Sequence, residues 1–212
     1  MIATALVGQA VIREGVDDAG VARWLAERLA ARFSDSDGPV AIAVPGGSTP
    51  FPIIAELLRS PLPWSRLTVW PTDDRAVPED HPASNTGRLR TAFEGCGARV
   101  ATLREREAVP HFALAWLGMG ADGHIASLFP GSDPRPDDPR PIVRLTPDPL
   151  PPEAPFARIS LTIPALLNSD ALVLVARGEE KRAILEGAVR GDSDLPIARL
   201  IAAATQPVTC FV

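Results

Sequence analysis

The chain is poor in the residue types on which many functional sites depend. Its 212 residues include only two cysteines and three histidines, and neither type shows the close spacing of zinc ligands. Cys96 and Cys210 lie far apart in the sequence, so we expect two reduced thiols rather than a disulfide. The sequence therefore predicts a protein that needs no metal.

Two further absences concern partners and location. The chain has no excess of basic residues, since 21 Lys and Arg against 26 Asp and Glu give a net charge of -5, which argues against a nucleic-acid-binding surface. No apolar run approaches the roughly 18 residues of a membrane-spanning helix, and residues 1–8 lack the basic start of a secretory signal. We therefore expect one cytoplasmic domain, 1–212, that binds neither nucleic acid nor membrane. We expect a monomer rather than a weak homodimer.

The most informative stretch that is present is a glycine-rich segment at residues 118–131, GMGADGHIASLFPG. It follows an apolar run at 112–117 that is long enough for a buried strand. Gly118, Gly120 and Gly123 allow the backbone to turn sharply and to approach a bound molecule closely. His124, directly after them, can titrate near neutral pH. Since open α/β folds bind ligands at strand ends, this segment predicts a site.

The same three glycines fit G-x-G-x-x-G, the fingerprint of dinucleotide-binding folds. That fingerprint requires a full helix afterwards, but prolines at 130, 134, 136, 139 and 141 would stop any helix begun near Ile125 after about two turns. Asp137 and Asp138 stand at a suitable distance for a ribose ligand, yet they lie in this proline-rich loop rather than at a strand end. We therefore reject a nicotinamide or flavin site and expect no cofactor.

A second candidate site is the sequence PGGSTP at residues 45–50, which follows a β-type run at 40–44. Ser48 or Thr49 can cap a helix that begins at Pro50, the residue best suited to a first helical position. Free backbone N–H groups, a helix dipole and two hydroxyls are together typical of an anion site. An ordinary capped turn is the alternative interpretation. The segment is not a Walker A loop, since no Gly-Lys-Ser/Thr follows.

Charged residues follow another predicted strand, at 67–70, where the chain continues with Asp73, Asp74 and Arg75. Such a run usually forms a solvated charge cluster. At the carboxyl end of a central strand it also suits a site in which the arginine holds a phosphate through paired N–H groups.

Lys181 is the remaining candidate cation. It lies in the first turn of a helix predicted at 179–190, where a positive charge opposes the helix dipole. Either Lys181 points at a bound anion, or Glu179 and Glu180 simply compensate its charge.

The order of these segments favours an α/β fold with a doubly wound, mainly parallel sheet flanked by helices, and a small subsidiary lobe or flap at 130–155. Strands are predicted at 3–12 (one or two), 40–44, 67–70, 100–103, 112–117, 142–145, 158–162, 171–176 and 208–212. Helices are predicted at 18–33, 50–58, 85–93, 164–168, 179–190 and 195–203.

Taken together, the segments resemble the 6-phosphogluconolactonases. The matching blocks are PGGSTP at 45–50, PTDDRAVPEDHPASN at 71–85, GMGADGHIASLFPGS at 118–132, RISLTIPAL at 158–166 and the Gly178-x-x-Lys181 turn. The resemblance implies a Rossmann-like fold and hydrolysis of 6-phosphoglucono-δ-lactone to 6-phosphogluconate in the pentose phosphate pathway. Two departures are Ala76, where the family often has an aromatic residue, and an end at Phe211-Val212 without the usual Trp and Asp.

Under this hypothesis neutral His124 activates a water molecule, because its reference pKa of about 6.5 leaves it unprotonated yet basic at pH 7. Asp122 or Asp73 orients the imidazole or the substrate hydroxyls, and the sequence does not divide these two roles. Backbone N–H groups of a glycine loop would stabilise the oxyanion. The predicted phosphate-binding residues are Gly46, Gly47, Ser48, Thr49, Arg75 and Lys181.

Two alternatives belong to other functional classes. The related glucosamine-6-phosphate deaminases share the Asp-Gly-His core, but their glycine loop continues Ala-Phe-Asn-Glu-Pro-Gly and their acidic motif resembles Asp-Glu-Tyr. This chain has ASLFPG at 126–131 and therefore lacks the glutamate expected to assist ring opening. A sugar-phosphate-sensing domain of a transcriptional regulator would need a DNA-binding helix pair and a basic face, and no segment predicts either.

Overall fold

The computed structural model describes residues 4–7, 10–151 and 154–212. Its α-helices are α1 Asp18–Asp35, α2 Pro50–Leu57, α3 Asn85–Ala92, α4 Ile163–Leu167, α5 Glu179–Arg190 and α6 Pro196–Ala203. Its strands are β1 Thr4–Val7, β2 Ala10–Arg13, β3 Val40–Val44, β4 Leu67–Pro71, β5 Asp73–Arg75, β6 Arg99–Val100, β7 Leu114–Leu117, β8 Ile142–Leu145, β9 Arg158–Leu161, β10 Leu172–Val175 and β11 Val208–Phe211.

The main sheet has the strand order β1-β2-β11-β10-β7-β3-β4-β6. Only the β1–β2 pair is antiparallel among the described strands of this sheet, and the other neighbours run parallel. Parallel strands are covered on both faces and so read as continuous apolar runs. In β10, Leu172 and Leu174 enter one core while Val173 and Val175 enter the other. The predicted doubly wound, mainly parallel sheet is confirmed.

Helices cover both faces of this sheet. On one face α1, α2 and α3 pack their apolar residues into one core, and on the other face α4, α5 and α6 contribute to the second. The apolar repeat of α1 explains its orientation, because Val21, Leu25, Leu29 and Phe33 are all buried. The side chain of Asp17 accepts a hydrogen bond from Gly20 N at 2.8 Å, which confirms one of the two predicted caps.

A second, smaller sheet has the order β5-β9-β8 and is antiparallel. The sequence predicted β8 and β9 as strands, but at Asp73 and Arg75 it predicted only the end of the strand before them. They form a short strand instead, because β9 offers a partner in the register Asp73 with Ser160 and Arg75 with Arg158. The strand predicted at 100–103 was too long, since β6 contains only Arg99 and Val100.

The chain changes direction across the sheet between β3 and β7. From β3 it passes through α2 to β4 on one side, whereas β7 lies on the other side of β3 and leads towards β10. The loops after β3 and β7 therefore meet, and a Cβ atom built on Gly118 would lie 3.5 Å from Cβ of Pro45. Such a switch point is where open α/β sheets bind ligands.

The sequence predicted two reduced thiols and no membrane-spanning helix. Both cysteines are free thiols, and burial raises the pKa of Cys210 to about 12, so this thiol is unreactive at neutral pH. Among the helices of the described residues, none combines the length and apolar character that crossing a bilayer requires.

Candidate active site

A cavity of about 300 Å³ opens at the switch point between β3 and β7. Its wall includes the loop after β3, the loop after β7, the start of β5 and the first turn of α5. This volume is at the lower end of the range for small-molecule sites, so it suits a ligand of sugar-phosphate size. Eight of the nine predicted site residues line it: Gly46, Gly47, Ser48, Thr49, Asp73, Arg75, His124 and Lys181.

Asp122, the ninth predicted residue, contacts the imidazole of His124. Nδ1 of His124 lies 2.6 Å from Oδ1 of Asp122, and the ring packs against Phe129 with centroids 4.6 Å apart. Since an ionised carboxylate can only accept, Nδ1 carries the proton and Nε2 remains basic. Asp122 is not among the described residues that line the cavity. Its geometry therefore favours orientation of the imidazole over contact with substrate.

Gly120 makes this arrangement possible. A Cβ atom at residue 120 would lie 2.2 Å from Cε1 and Nδ1 of His124 and 2.6 Å from Oδ1 of Asp122. No side chain larger than hydrogen fits there without moving the imidazole. The loop backbone also uses its own donors, because Gly120 N–H bonds the carbonyl of His124 and Gly123 N–H bonds the carbonyl of Gly120. These two amides are not available to an oxyanion.

Asp73 is a buried acid with only 8% of its surface exposed. Burial raises the pKa of its carboxyl, while the hydrogen bond from Ser127 and the nearby charge of Arg75 lower it in part. Oδ2 accepts from Ser127 Oγ at 2.5 Å, and Oδ1 accepts from Asn85 Nδ2 at 3.3 Å. Asp73 is thus fixed on the cavity wall beside Arg75 and His124, with which it interacts electrostatically.

The neighbouring Asp74 has a structural task. Its carboxylate accepts hydrogen bonds from the backbone N–H groups of Asn85 at 2.6 Å and of Thr86 at 3.0 Å, and from the hydroxyl of Ser84 at 3.1 Å. A carboxylate at a helix N-terminus satisfies free N–H groups and opposes the dipole. Asp74 therefore anchors α3 to β5, and it does not face the cavity.

Arg75 is held by two neutral oxygens. Nη1 donates to the carbonyl of Ala83 and to Oδ1 of Asn85, both at 2.9 Å. Within the described residues it forms no ion pair with a carboxylate, so its charge is free to act on a ligand. The solvated charge cluster, one of the two predicted alternatives, does not fit this arrangement.

The PGGSTP loop differs from its predicted geometry at one point. Thr49 is the N-cap residue of α2, as expected, but its side chain makes no capping hydrogen bond. The reason is that Thr49 has helical backbone angles, φ -59° and ψ -41°, whereas a capping side chain requires an extended N-cap. Gly47 has φ +84°, which favours glycine. The hydroxyls of Ser48 and Thr49 are therefore left for the cavity they line.

Lys181, in the first turn of α5, lies on the cavity wall. Glu179 and Glu180 are exposed, and Lys181 forms no ion pair with either of them. The two glutamates therefore do not pair with Lys181 directly, and its assignment to a bound anion stays a prediction. The amino group is left facing a cavity that also contains Arg75.

Sequence reasoning missed four polar residues of the cavity: Thr72, Asn85, Ser127 and Arg158. Arg158 is 3% exposed and donates to the carbonyl oxygens of Phe156 at 2.9 Å and Ala154 at 2.8 Å. Its signal was an arginine within an otherwise apolar predicted strand. Asn85 and Ser127 gave no such signal, because asparagine and serine are common at helix starts and in loops. Within the part of the chain that the structure describes, no three His, Cys, Asp or Glu residues are grouped as metal ligands.

A family model described as glucosamine-6-phosphate isomerases/6-phosphogluconolactonase matches residues 17–99 and 93–209. Two proteins named 6-phosphogluconolactonase are similar to the chain in sequence. That of Caulobacter vibrioides is 35% identical over 189 residues, which cover 77% of this chain and 79% of that protein. That of Pseudomonas putida is 33% identical over 202 residues, which cover 84% and 82%.

Solved structures agree on the fold. The 6-phosphogluconolactonase of Thermotoga maritima superposes with a TM-score of 0.82 at 24% identity, over 96% of this chain and 99% of that one. The corresponding protein of Shewanella baltica has a TM-score of 0.81 at 24% identity, over 98% and 99%. The fold, the family model and the sequence relatives lead to one conclusion. The chain belongs to the glucosamine-6-phosphate isomerase/6-phosphogluconolactonase family.

Proposed function

We propose that this protein hydrolyses 6-phospho-D-glucono-1,5-lactone to 6-phospho-D-gluconate, the lactone-opening step of the oxidative pentose phosphate pathway. The observation that carries the proposal is one cavity lined by a carboxylate-oriented imidazole and by two cations, Arg75 and Lys181, that form no ion pair within the described residues. The relatives named 6-phosphogluconolactonase, at 35% and 33% identity, support this choice of substrate. Hydrolysis of this internal ester requires a base that activates water, donors that stabilise the oxyanion and groups that bind the phosphate.

His124 is the proposed general base. With its Nδ1 proton directed at Asp122, Nε2 can accept a proton from the attacking water. The carboxylate also stabilises the imidazolium that forms in this step. Asp122 is therefore a positioning residue, whereas Asp73, its alternative in the sequence hypothesis, lines the cavity itself. We assign Asp73 to the substrate hydroxyls, because its carboxyl is fixed by neutral donors and lines the cavity.

The phosphate is assigned to the other part of the cavity. Gly46, Gly47, Ser48 and Thr49 supply backbone N–H groups and hydroxyls at the start of α2, where the helix dipole favours an anion. Arg75 and Lys181 add charge-assisted donors, which bind a phosphate dianion more strongly than neutral donors do. Because the amides of Gly120 and Gly123 are occupied, the oxyanion requires another amide of the cavity wall.

Two assays on the purified protein test this function against the deaminase alternative. Acid release from freshly prepared 6-phosphogluconolactone is measured above a protein-free blank, and ammonia release is measured with glucosamine 6-phosphate. We expect activity in the first assay and none in the second. Ammonia release without lactone hydrolysis would overturn the proposal and place the chain with the deaminases.

We also propose a cytoplasmic monomer. The two free thiols suit a reducing compartment. Gel filtration with light scattering measures the molar mass in solution, and the mass of a dimer would contradict this proposal.

A further inference from the structure

Asn85 joins the two sides of the proposed site. It is the first residue of α3 and is 2% exposed, and its side chain lines the cavity. Its amide oxygen accepts from Nη1 of Arg75 at 2.9 Å. Its amide nitrogen donates to the carbonyl oxygen of Asp73 at 2.9 Å and to Oδ1 of the same residue at 3.3 Å. One side chain thus contacts both the acid and the cation.

The orientation of this amide follows from its neighbours. A guanidinium has only donors, so the group of Asn85 that faces Arg75 must be the oxygen. The NH₂ group then has to face Asp73, whose carbonyl and carboxylate oxygens accept. If the amide were reversed, its NH₂ group would face the N–H groups of Arg75 and its oxygen would face the oxygens of Asp73. The contacts therefore specify an asparagine in one orientation.

The Asn85 amide also lies against the proposed phosphate loop. A Cβ atom built on Gly46 would lie 2.2 Å from Oδ1 of Asn85 and 2.3 Å from Nδ2. Only glycine allows this approach. The loop after β3, the acid of β5 and the guanidinium of Arg75 are thus packed around one neutral group.

The neutrality of Asn85 has an electrostatic consequence. Both acceptors of Arg75, the carbonyl of Ala83 and the amide of Asn85, are uncharged. They fix the position of the guanidinium without forming an ion pair, so the groups that hold Arg75 do not neutralise it. An aspartate of the same shape would hold Arg75 equally well but would neutralise it.

We propose that Asn85 is a positioning residue that holds Arg75 in place for the substrate phosphate without neutralising it, and that at the same time fixes the carboxyl of Asp73 towards the sugar. This inference rests on the proposed function and adds to it a reason why a neutral amide is required at this point.

The decisive variant is Asn85→Asp, because it keeps the shape and the acceptor for Arg75 while adding a negative charge. We expect KM for the phosphorylated lactone to rise about tenfold or more, and the affinities for inorganic phosphate and 6-phosphogluconate to fall by a similar factor. KM for glucono-δ-lactone, which has no phosphate, should change much less.

Asn85→Ala provides the second variant, and Asn168→Ala is its control. Alanine removes the donor to Asp73 as well as the acceptor for Arg75, so kcat should fall about tenfold in addition to the rise in KM. Asn168 is an exposed amide that bonds His111 away from the cavity, and its substitution should leave both constants unchanged. Circular dichroism and thermal melting establish that each variant is folded.

Different results would contradict the role of Asn85 and the proposed function. Wild-type affinity for phosphate in Asn85→Asp would overturn the role of Asn85. So would equal losses on both lactones, or failure of both variants to fold, since either result assigns Asn85 a purely structural role. Wild-type protein that binds phosphate but does not hydrolyse the lactone would contradict the proposed function alone, and the phosphate affinities would still test Asn85.

Discussion

His124 owes its proposed chemistry to three neighbours rather than to its own position in the sequence. Gly120 leaves room for the ring, Asp122 holds Nδ1, and Phe129 packs against one side of it. A loop histidine without such contacts would rotate freely and would spend little time in a reactive geometry. The activity of this site therefore depends on the contacts of His124 as well as on the presence of a histidine.

Replacing His124 by alanine removes the proposed base. Because positioned base catalysis contributes about 10²- to 10⁴-fold, kcat on fresh lactone should fall by a factor in this range, while KM changes little. His111→Ala is the matched control, since that histidine contacts Asn168 and Asp170 away from the cavity. Equal rates for wild type and His124→Ala would remove His124 from the mechanism.

Arg75→Ala and Lys181→Ala test the phosphate assignment. Each substitution removes a charge-assisted donor, so KM for the phosphorylated lactone should rise about 10- to 100-fold with a smaller effect on kcat. The effect should shrink on glucono-δ-lactone, which lacks the phosphate.

Charge-matched controls are available on α3, whose Asn85 contacts Arg75, and on α5, which carries Lys181. Arg90 pairs with Glu79, and Arg182 pairs with Glu14 and Glu186, so both cations are already paired with carboxylates. Arg90→Ala and Arg182→Ala should leave KM unchanged. If Arg75→Ala or Lys181→Ala affects both lactones equally, that residue does not hold the phosphate.

At the scale of elements, the two loops after β3 and β7 determine the site, and the flanking helices and strands hold them in place. Both loops combine glycines with polar residues at the carboxyl ends of neighbouring parallel strands. The space available for a side chain differs from one glycine of these loops to the next. This difference can be measured by substitution.

Gly120→Ala should displace the imidazole without unfolding the protein. Its Cβ would lie 2.2 Å from His124, and the side chain would have to rotate away. A misplacement of about 1 Å at a catalytic group can cost roughly 100-fold in rate, so we expect a loss of kcat of that order. Melting curves and steady-state kinetics give the two measurements.

Gly118→Ala is the control for the same loop. Its Cβ would make an ordinary contact with Pro45 at 3.5 Å and should be tolerated with near wild-type kcat. Comparable losses in both variants would mean that general loop rigidity, and not the space beside His124, limits the reaction.

At the scale of the whole molecule, the sheet separates the proposed chemistry from a second polar cluster. His111 precedes β7, and Asn168 and Asp170 precede β10, so this cluster lies at the amino ends of strands whose carboxyl ends carry the cavity. Its imidazole lies 2.9 Å from Oδ1 of Asn168 and 2.6 Å from Oδ1 of Asp170. These contacts stabilise the imidazolium.

The cluster predicts a pH dependence of stability that is unrelated to catalysis. The hydrogen bonds from His111 to Asp170 and Asn168 raise the pKa of this histidine above 6.5. A raised folded-state pKa means that the stabilisation is fully present below about pH 6.5 and is lost as the pH rises through the folded value. The Tm difference between wild type and His111→Ala should therefore be largest near about pH 6 and should diminish at alkaline pH. A difference that stays constant with pH would contradict this assignment.

Much of this protein followed from local sequence patterns. Helix α5 was predicted with its observed bounds, Glu179–Arg190, because its apolar spacing and flanking glycines are local signals. The PGGSTP and GMGADGH segments indicated the loops of the site for the same reason: turns and close backbone approach demand glycine whatever the distant partners are. The order of strands and helices was enough for the doubly wound sheet.

Tertiary structure decided what no local pattern contains. Asp73 and Asp74 are adjacent and identical in type, yet one lines the cavity and the other caps α3, because β5 directs successive side chains to opposite sides. Asn85 became a candidate only when the fold brought α3 against Arg75 and Gly46. The sequence by itself determined the residue types, the loops and the fold class, since these depend on neighbours along the chain. Which polar groups share the cavity depended on strand order and register, because these bring distant residues together.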